Sequence, residues 1–372
     1  MRANKMTKIY NEIVKFGNGF GSLMDAIPNP DTVLRKSGST YAGYRDLLYD
    51  AHLWSCIQSR KSGTLSTQYE LVGANSQFIT EVFNKLDIQQ LAEDILDSLL
   101  YGFQPIEIYW KNEGDFTIPY KAVSKPQELF YIDSEGKLRY KPNGQAKGVK
   151  LPEMKFLDIR NKPSHSAPYG TALLSKCYWP IKFKNGGIRF WVNFMERYGM
   201  PLLIGKYSRG ASKAESERLA EELAGMTEDS VIVTPNDIEI SMEEPHRYSS
   251  VRLYSEMIKL SNSEVSKAIL SQTLTTEVSS GSKAAAETHY KIRNEIIRSD
   301  MRLVESAINT LIGYIVKLNF GHTDGTQFRY ITEQENLHTK LDRDLKIQRF
   351  GGITFSSDYW IKQYGYSRED LD

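Results

Sequence analysis

Cysteine is almost missing: Cys56 and Cys177 are the only two in 372 residues, they lie far apart, and no CxxC occurs. That excludes a disulfide framework and a thiolate zinc site, and makes a reducing compartment the default. Long apolar runs are missing too. Nowhere do about 18 apolar residues follow one another, the length a membrane-spanning helix needs, so no membrane partner is expected. The first 22 residues, MRANKMTKIYNEIVKFGNGFGS, have no unbroken apolar stretch of the kind a secretion signal carries. Charge of one sign is lacking as well. The formal net charge is +1, so the molecule as a whole offers no field that would draw it to nucleic acid or to anionic lipid.

Motifs of catalysis are equally scarce. The six histidines (His52, His165, His246, His289, His322 and His338) show neither HxxxH nor HExxH spacing, which argues against a zinc centre. No GxxxxGK[ST] run exists, so ATP hydrolysis by this chain is not expected. Gly17, Gly19 and Gly21 do not supply a phosphate cradle, because no strand precedes them and no Lys-Ser/Thr follows. No GxSxG elbow occurs. The acid pairs Glu93-Asp94 and Glu221-Glu222 read as solvating charges on helix faces. No catalytic residue, metal or cofactor is expected.

What is present is an α+β pattern followed by long helices. Residues 1–40 read as a flexible arm with little periodicity. Residues 44–65 read as one helix, followed by a strand in QYELVG. Asp87 can cap a helix running to Leu100, with Ile88, Leu91, Ile95 and Leu99 recurring every three to four positions and Gly102 as a left-handed stop. FQPIEIYW alternates as a strand, LFYIDSEGKLRYKPNG reads as a hairpin around 134–137, and FLDIR adds a strand. A helix is expected from Pro180 to Tyr198, with Ile181, Ile188, Trp191, Met195 and Tyr198 on one stripe and a kink at Gly186-Gly187. Ser212 and Glu215 form a capping box, and 230–242 read as a small hairpin. A second long helix covers about 249–274. A third, about 284–319, carries Ile297, Met301, Val304, Ile308, Leu311, Ile315 and Leu318, a stripe that reads as core or subunit packing. A polar helix follows around 333–349.

Charge is sorted along the chain although it cancels overall. Residues 176–213 hold eight basic side chains against Glu196, whereas 214–246 hold ten acids against Arg218. A basic shaft beside an acidic small module follows, and the acidic surface suits a basic docking partner. Between the second and third long helices lies QTLTTEVSSGSK, short and polar.

These stretches together resemble the portal proteins of Mu-like tailed phages. The resemblance rests on DAHLWSCIQSRKSGTLSTQYEL, LLYGFQPIEIYW, PYGTALLSKCYWPIKFKNGGIRFWVNFMERYGMPLLIGKY, QTLTTEVSSGSKAAAETHYKIRNEIIRSDMRLVESAINTLIGYIVKLNFG and the closing FGGITFSSDYWIKQYGYSREDLD, spread over about residues 46–368. It implies a ring, usually of twelve copies, at one capsid vertex of the virion, assembled in the host cytoplasm. It also implies a division of the chain. After the arm at 1–40 would come a mixed wing at 41–170, a stem helix at 171–199 and a small α/β clip at 200–247. A second stem helix at 248–274, a tunnel loop at 275–283, a long wing helix at 284–320 and a C-terminal wing or short crown at 321–372 would follow. Double-stranded DNA would pass Thr275, Thr276, Ser279, Ser280, Gly281, Ser282 and Lys283. These side chains are short and polar, with one cation per copy, which suits weak, transferable contacts to a dense polyanion. The clip carboxylates Glu221, Glu222, Glu228, Asp229, Glu243 and Glu244 would dock the terminase large subunit and later head-completion or adaptor proteins, and the major capsid protein would surround the ring. Another ring-forming or minor capsid component, with nothing threaded through it, is the alternative. A DNA-processing enzyme with a dispersed carboxylate site is a second.

Overall fold

In a computed structural model, the described residues are 26–27, 29, 31–36, 40–141, 148–198, 203–208, 210–224, 231–237, 247–273, 283–322, 325–331 and 337–364. In chain order they form β1 (Ala26–Ile27), α1 (Thr32–Lys36), α2 (Tyr41–Leu47), α3 (Ala51–Leu65), β2 (Tyr69–Val72), α4 (Ser76–Phe83) and α5 (Ile88–Tyr101). Then come β3 (Phe103–Glu113), β4 (Phe116–Ser124), β5 (Phe130–Asp133), β6 (Leu138–Tyr140), β7 (Val149–Lys150), β8 (Phe156–Arg160), α6 (Leu173–Tyr198), β9 (Leu203–Tyr207), α7 (Lys213–Ala224) and β10 (Val231–Pro235). The chain ends with α8 (Arg247–Leu270), α9 (Lys283–Phe320), β11 (Gln327–Tyr330), α10 (Leu337–Gly351) and α11 (Ser357–Tyr364). The fold is a mixed one of helices and strands, as the sequence pattern implies.

The body is built on an antiparallel sheet in the order β4-β3-β8. Alternation along β3 turns Ile106, Ile108 and Trp110 toward one apolar cluster, which they share with Ile95 and Leu99 of α5 and with α9. The stripe of α9 is core: Ile297, Met301, Val304, Ile308, Leu311 and Ile315 are all buried there. Asp87 caps α5 by accepting from Gln90 N, and Gly102 ends it at φ +92°. The hairpin β5–β6 closes as expected, with the Asp133 carboxylate accepting from Glu135 N and Lys137 N.

Helix α9 also seals two strand edges. The Asn319 side chain accepts from Thr117 N (2.7 Å) and donates to Thr117 O (2.9 Å) on edge strand β4. Asn309 does the same for Phe328 of β11, accepting at 2.7 Å and donating at 3.1 Å. Each amide thus takes the place of a neighbouring strand, satisfying backbone groups that an open edge would expose.

Three expectations are corrected. The segment 44–65 is two helices, not one, because Asp50 turns its carboxylate onto Leu53 N and starts α3 afresh after a turn at Leu48-Tyr49. Helix α6 begins at Leu173, so Pro180 lies inside it rather than at its first turn; the missing N–H removes one ladder bond, which packing at the helix foot offsets. The strand β10 pairs in parallel with β9, in the register Val231↔Leu203 to Pro235↔Tyr207. The second half of the hairpin expected at 230–242 lies outside the described residues. Finally, the described part of the arm is anchored: β1 pairs with β5, and Asp31 accepts from Val33 N, Tyr44 Oη and Ser175 Oγ.

Candidate functional site: the long helix pair and its end module

Helices α6 and α8 pack along each other and are rooted at one end in a second apolar cluster. Leu174, Cys177 and Ile181 of α6 meet Val265, Ile269 and Leu270 of α8 there, beside Leu53, Cys56 and Ile57 of α3. Burial pushes the Cys177 thiol up to about 12 and raises Cys56, so neither is a nucleophile. Lys184 of α6 reaches the capping carboxylate of Asp50 at 2.7 Å, fixing the helix against α3. Farther along, Gly187 lets α8 approach: a Cβ at that position would stand 2.6 Å from Met257 Cε. Trp191 then stacks on Tyr254, with ring centroids 6.5 Å apart and 11° between planes. The helix is continuous through Gly186 and Gly187.

Beyond its root, the pair leaves two apolar flanks in solvent. One is an aromatic stripe on α6: Trp179 is 52% exposed, Phe183 59% and Phe190 65%, with Trp179 and Phe183 stacked at 5.7 Å. The other, across the seat of α8, holds Ile188, Val192 and Met195, all exposed. Sequence periodicity puts Ile181, Ile188, Trp191 and Met195 on one stripe. The structure divides them: Ile181 is buried at the root, Trp191 lies on α8, and Ile188 and Met195 face outward. The aromatic stripe escaped that reading, although the i, i+4, i+11 spacing of Trp179, Phe183 and Phe190 was its signal.

Charge differs between the outer faces of the two helices. On α6, Lys182 and Arg189 are exposed. On α8, Lys259 is paired with Glu256 and Lys267 with Glu264, each three residues apart, while Arg252 is exposed, so that surface carries fewer uncompensated cations than α6. Past the tip of α6 lies a β-α-β module in which β9 and β10 lie beneath α7. Gly205 of β9 lies under Leu219 and Leu223, and a Cβ there would meet Leu223 Cδ1 at 2.6 Å. The capping box is present: Ser212 Oγ accepts from Glu215 N at 3.3 Å, and Glu215 Oε2 accepts from Ser212 N at 2.8 Å.

Of the residues singled out from sequence, Glu221 and Glu222 are exposed on α7, where Glu222 pairs with Arg218 at 3.0 Å. Glu228, Asp229, Glu243 and Glu244 lie outside the described residues, as do Thr275, Thr276, Ser279, Ser280, Gly281 and Ser282. Lys283 is the first residue of α9, with its side chain outside the description. Both stalks of that segment are tied to α3, which no sequence signal revealed. Arg60 grips Asp300 of α9 through Nε (2.7 Å) and Nη2 (2.8 Å), and its Nη1 donates to Ile269 O at the end of α8 (2.6 Å). Among the described residues no group of three His, Cys, Asp or Glu side chains is arranged to hold a metal, and no helix is long and apolar enough to cross a membrane.

A family model described as the portal protein of Mu bacteriophage matches residues 41–366. The portal protein of Escherichia phage Mu is 27% identical over 292 residues, covering 74% of this chain and 56% of that protein. The Mu-like prophage FluMu protein gp29 of Haemophilus influenzae is 24% identical over 289 residues, covering 73% and 55%. The chain thus spans about half the length of the curated relatives it matches. Among solved structures, a chain from the virion of a native gene transfer agent particle aligns with a TM-score of 0.58 at 12% identity, over 90% of this chain and 98% of its own. A chain from the neck of the native particle, computed with C12 symmetry, aligns with a TM-score of 0.55 at 12% identity, over 98% of each.

Proposed function

Because the chain belongs to the Mu bacteriophage portal protein family, we propose that identical copies of it close into a ring around a channel at a capsid vertex, through which double-stranded DNA is packaged, held and released. The role is structural rather than catalytic. One observation carries the reading: a single copy leaves Trp179, Phe183 and Phe190 exposed on one flank of the α6–α8 pair and Ile188, Val192 and Met195 on the other. Two different apolar flanks on one helix pair suit a head-to-tail contact, in which each copy covers its neighbour and the rotation closes a ring. Within that ring, α6 and α8 serve as the stem, the β9-α7-β10 module as the clip, and the body with α9 as the wing.

The bore follows from charge. A wall that binds phosphate strongly would arrest DNA, so the less basic outer face of α8, where Lys259 and Lys267 are paired, suits the channel better than Lys182 and Arg189 of α6. Residues 271–282 connect α8 to α9, and on this reading 275–283, ending on the first residue of α9, form the tunnel loop. Glu221 and Glu222, together with Glu228, Asp229, Glu243 and Glu244, present carboxylates to a packaging motor of the terminase class and then to head-completion proteins. The major capsid protein encloses the wing, and assembly takes place in the host cytoplasm.

The test is imaging of the purified protein beside F183E/F190E. The wild type is expected to form closed rings with a central hole wide enough for duplex DNA, and the variant to stay monomeric with an unchanged far-ultraviolet circular dichroism spectrum. Rings that persist in the variant, or rings whose hole is too narrow for a duplex, would overturn the reading. The second of these results would favour a ring component that threads nothing.

A further inference from the structure

Two clefts open between α9, the end of α3 and the β2–β11 ribbon. One, of about 700 Å³, is lined by Gln68, Arg293, Asn294, Arg298, Met301 and Ile331, among others. The second, of about 570 Å³, is lined by Arg298, Arg302, Glu305, Gln327, Arg329 and Tyr330, among others. Arg298 and Met301 belong to both, so the two form one groove.

Its charge is one-sided. Among the described residues, none of Arg298, Arg302 and Arg329 takes part in an ion pair, although all three are exposed. The carboxylate inside the groove, Glu305, is engaged on the backbone, where its Oε1 accepts from Tyr330 N at 2.8 Å. Glu70 stands opposite Arg329 in the ribbon register. Gln327 accepts from Arg329 Nη2 at 2.7 Å, which holds that guanidinium extended. Apolar side chains accompany the cations: Met301 on the floor and Ile331, exposed, at the rim.

We infer that this groove is a docking site for an acidic peptide segment of a partner protein, bound in extended form with carboxylates at alternate positions. The spacing argues for it. Arg298 and Arg302 are four residues apart on α9, a rise of about 6 Å. Alternate residues of an extended strand put side chains on one face about 6.6–6.8 Å apart. Two carboxylates at positions i and i+2 therefore meet the two guanidinia in turn, each able to form a forked pair of hydrogen bonds. Arg329, on the opposite wall, takes a third. A cleft of this volume holds one extended strand and no duplex, and the arginines follow a line rather than converging on a single anion. The inference does not depend on the ring.

The experiment measures fluorescence polarisation of a labelled peptide that alternates aspartate with valine. It is compared with an isomer whose aspartates are adjacent, with an asparagine counterpart, and with a DNA duplex as competitor. The expected result is saturable binding to the wild type, weakened at least tenfold in R298Q/R302Q and unchanged in R189Q, an arginine on α6. The adjacent-acid isomer is expected to bind several-fold more weakly, and the thermal midpoint of R298Q/R302Q to match the wild type. Four results would each overturn the inference: no saturation up to about 1 mM, an affinity too weak for a docking contact; equal affinity for the double variant; equal affinity for the adjacent-acid isomer; or displacement by duplex DNA at matched charge. Ring formation is read separately by imaging, so failure here leaves that reading standing.

Discussion

Replacing Arg60 by alanine is expected to be among the most damaging single changes in the body. Arg60 makes a forked pair of bonds to Asp300, whose side chain is 2% exposed, and a third to Ile269 O. The alanine variant leaves Asp300 charged, buried and without this partner, a situation that costs about 3–5 kcal/mol. The Ile269 carbonyl loses its donor as well, adding about 1 kcal/mol. Against a total stability of about 5–15 kcal/mol that is a large fraction. With a urea dependence of about 2.5 kcal/mol per molar, a total loss of about 4–6 kcal/mol should lower the midpoint by about 1.6–2.4 M. The assay is urea denaturation followed by tryptophan fluorescence, for which buried Trp110 is an internal reporter. R60M/D300L should recover most of the loss, because removing both charges leaves nothing unpaired. Hydrogen exchange should speed up in R60A at the last turn of α8, next to Ile269. A fall in midpoint of less than about 0.3 M, or a double variant weaker than either single one, would refute the argument that Arg60 joins three helices through desolvated charge.

Two further outcomes are expected. A Cβ at Gly186 has nothing within 4 Å, so Gly186→Ala should raise the thermal midpoint through a helix propensity gain of about 1 kcal/mol, whereas Gly187→Val pushes into Met257 and should lower it; the two midpoints, measured by differential scanning calorimetry, should move in opposite directions. The Glu113 carboxyl, held by hydrogen bonds first from Lys111 and then from Lys85, is lowered from 4.5 to about 2. The stabilisation from these contacts is therefore present above the ordinary carboxyl range and fades as pH falls toward about 2. Carbon-detected NMR should place the Glu113 midpoint near that value, and a midpoint at 4.5 would contradict the geometry.

Much of the fold was legible because its signals are local. Asp87 and Gly102 bracket α5, Ser212 and Glu215 open α7, and the apolar period of α9 lies on the core as its spacing implies. What was missed or misread depends on partners distant in sequence. The parallel pairing of β9 with β10 joins strands on either side of α7, which packs over Gly205, and leaves no local signal. Pro180 looked like a helix start because its ring favours a first turn; burial of Leu174 and Cys177 carries the helix back past it. The Arg60–Asp300 contact joins residues 240 positions apart and leaves no periodic trace. At the candidate site the acids of α7 were legible from charge alone, while the aromatic flank was hidden by a neighbouring stripe that fitted the same helical period.

The parallel pairing of β9 and β10 has a consequence for the route of the chain. Parallel strands start at the same end of their sheet, so the chain leaves β10 at the far end and must travel back to reach α8. Residues 199–202 join α6 to β9, and the longer stretch 236–246 joins β10 to α8. The module is thus joined to α6 through four residues and to α8 through eleven, so its two attachments to the helix pair are unequal in length.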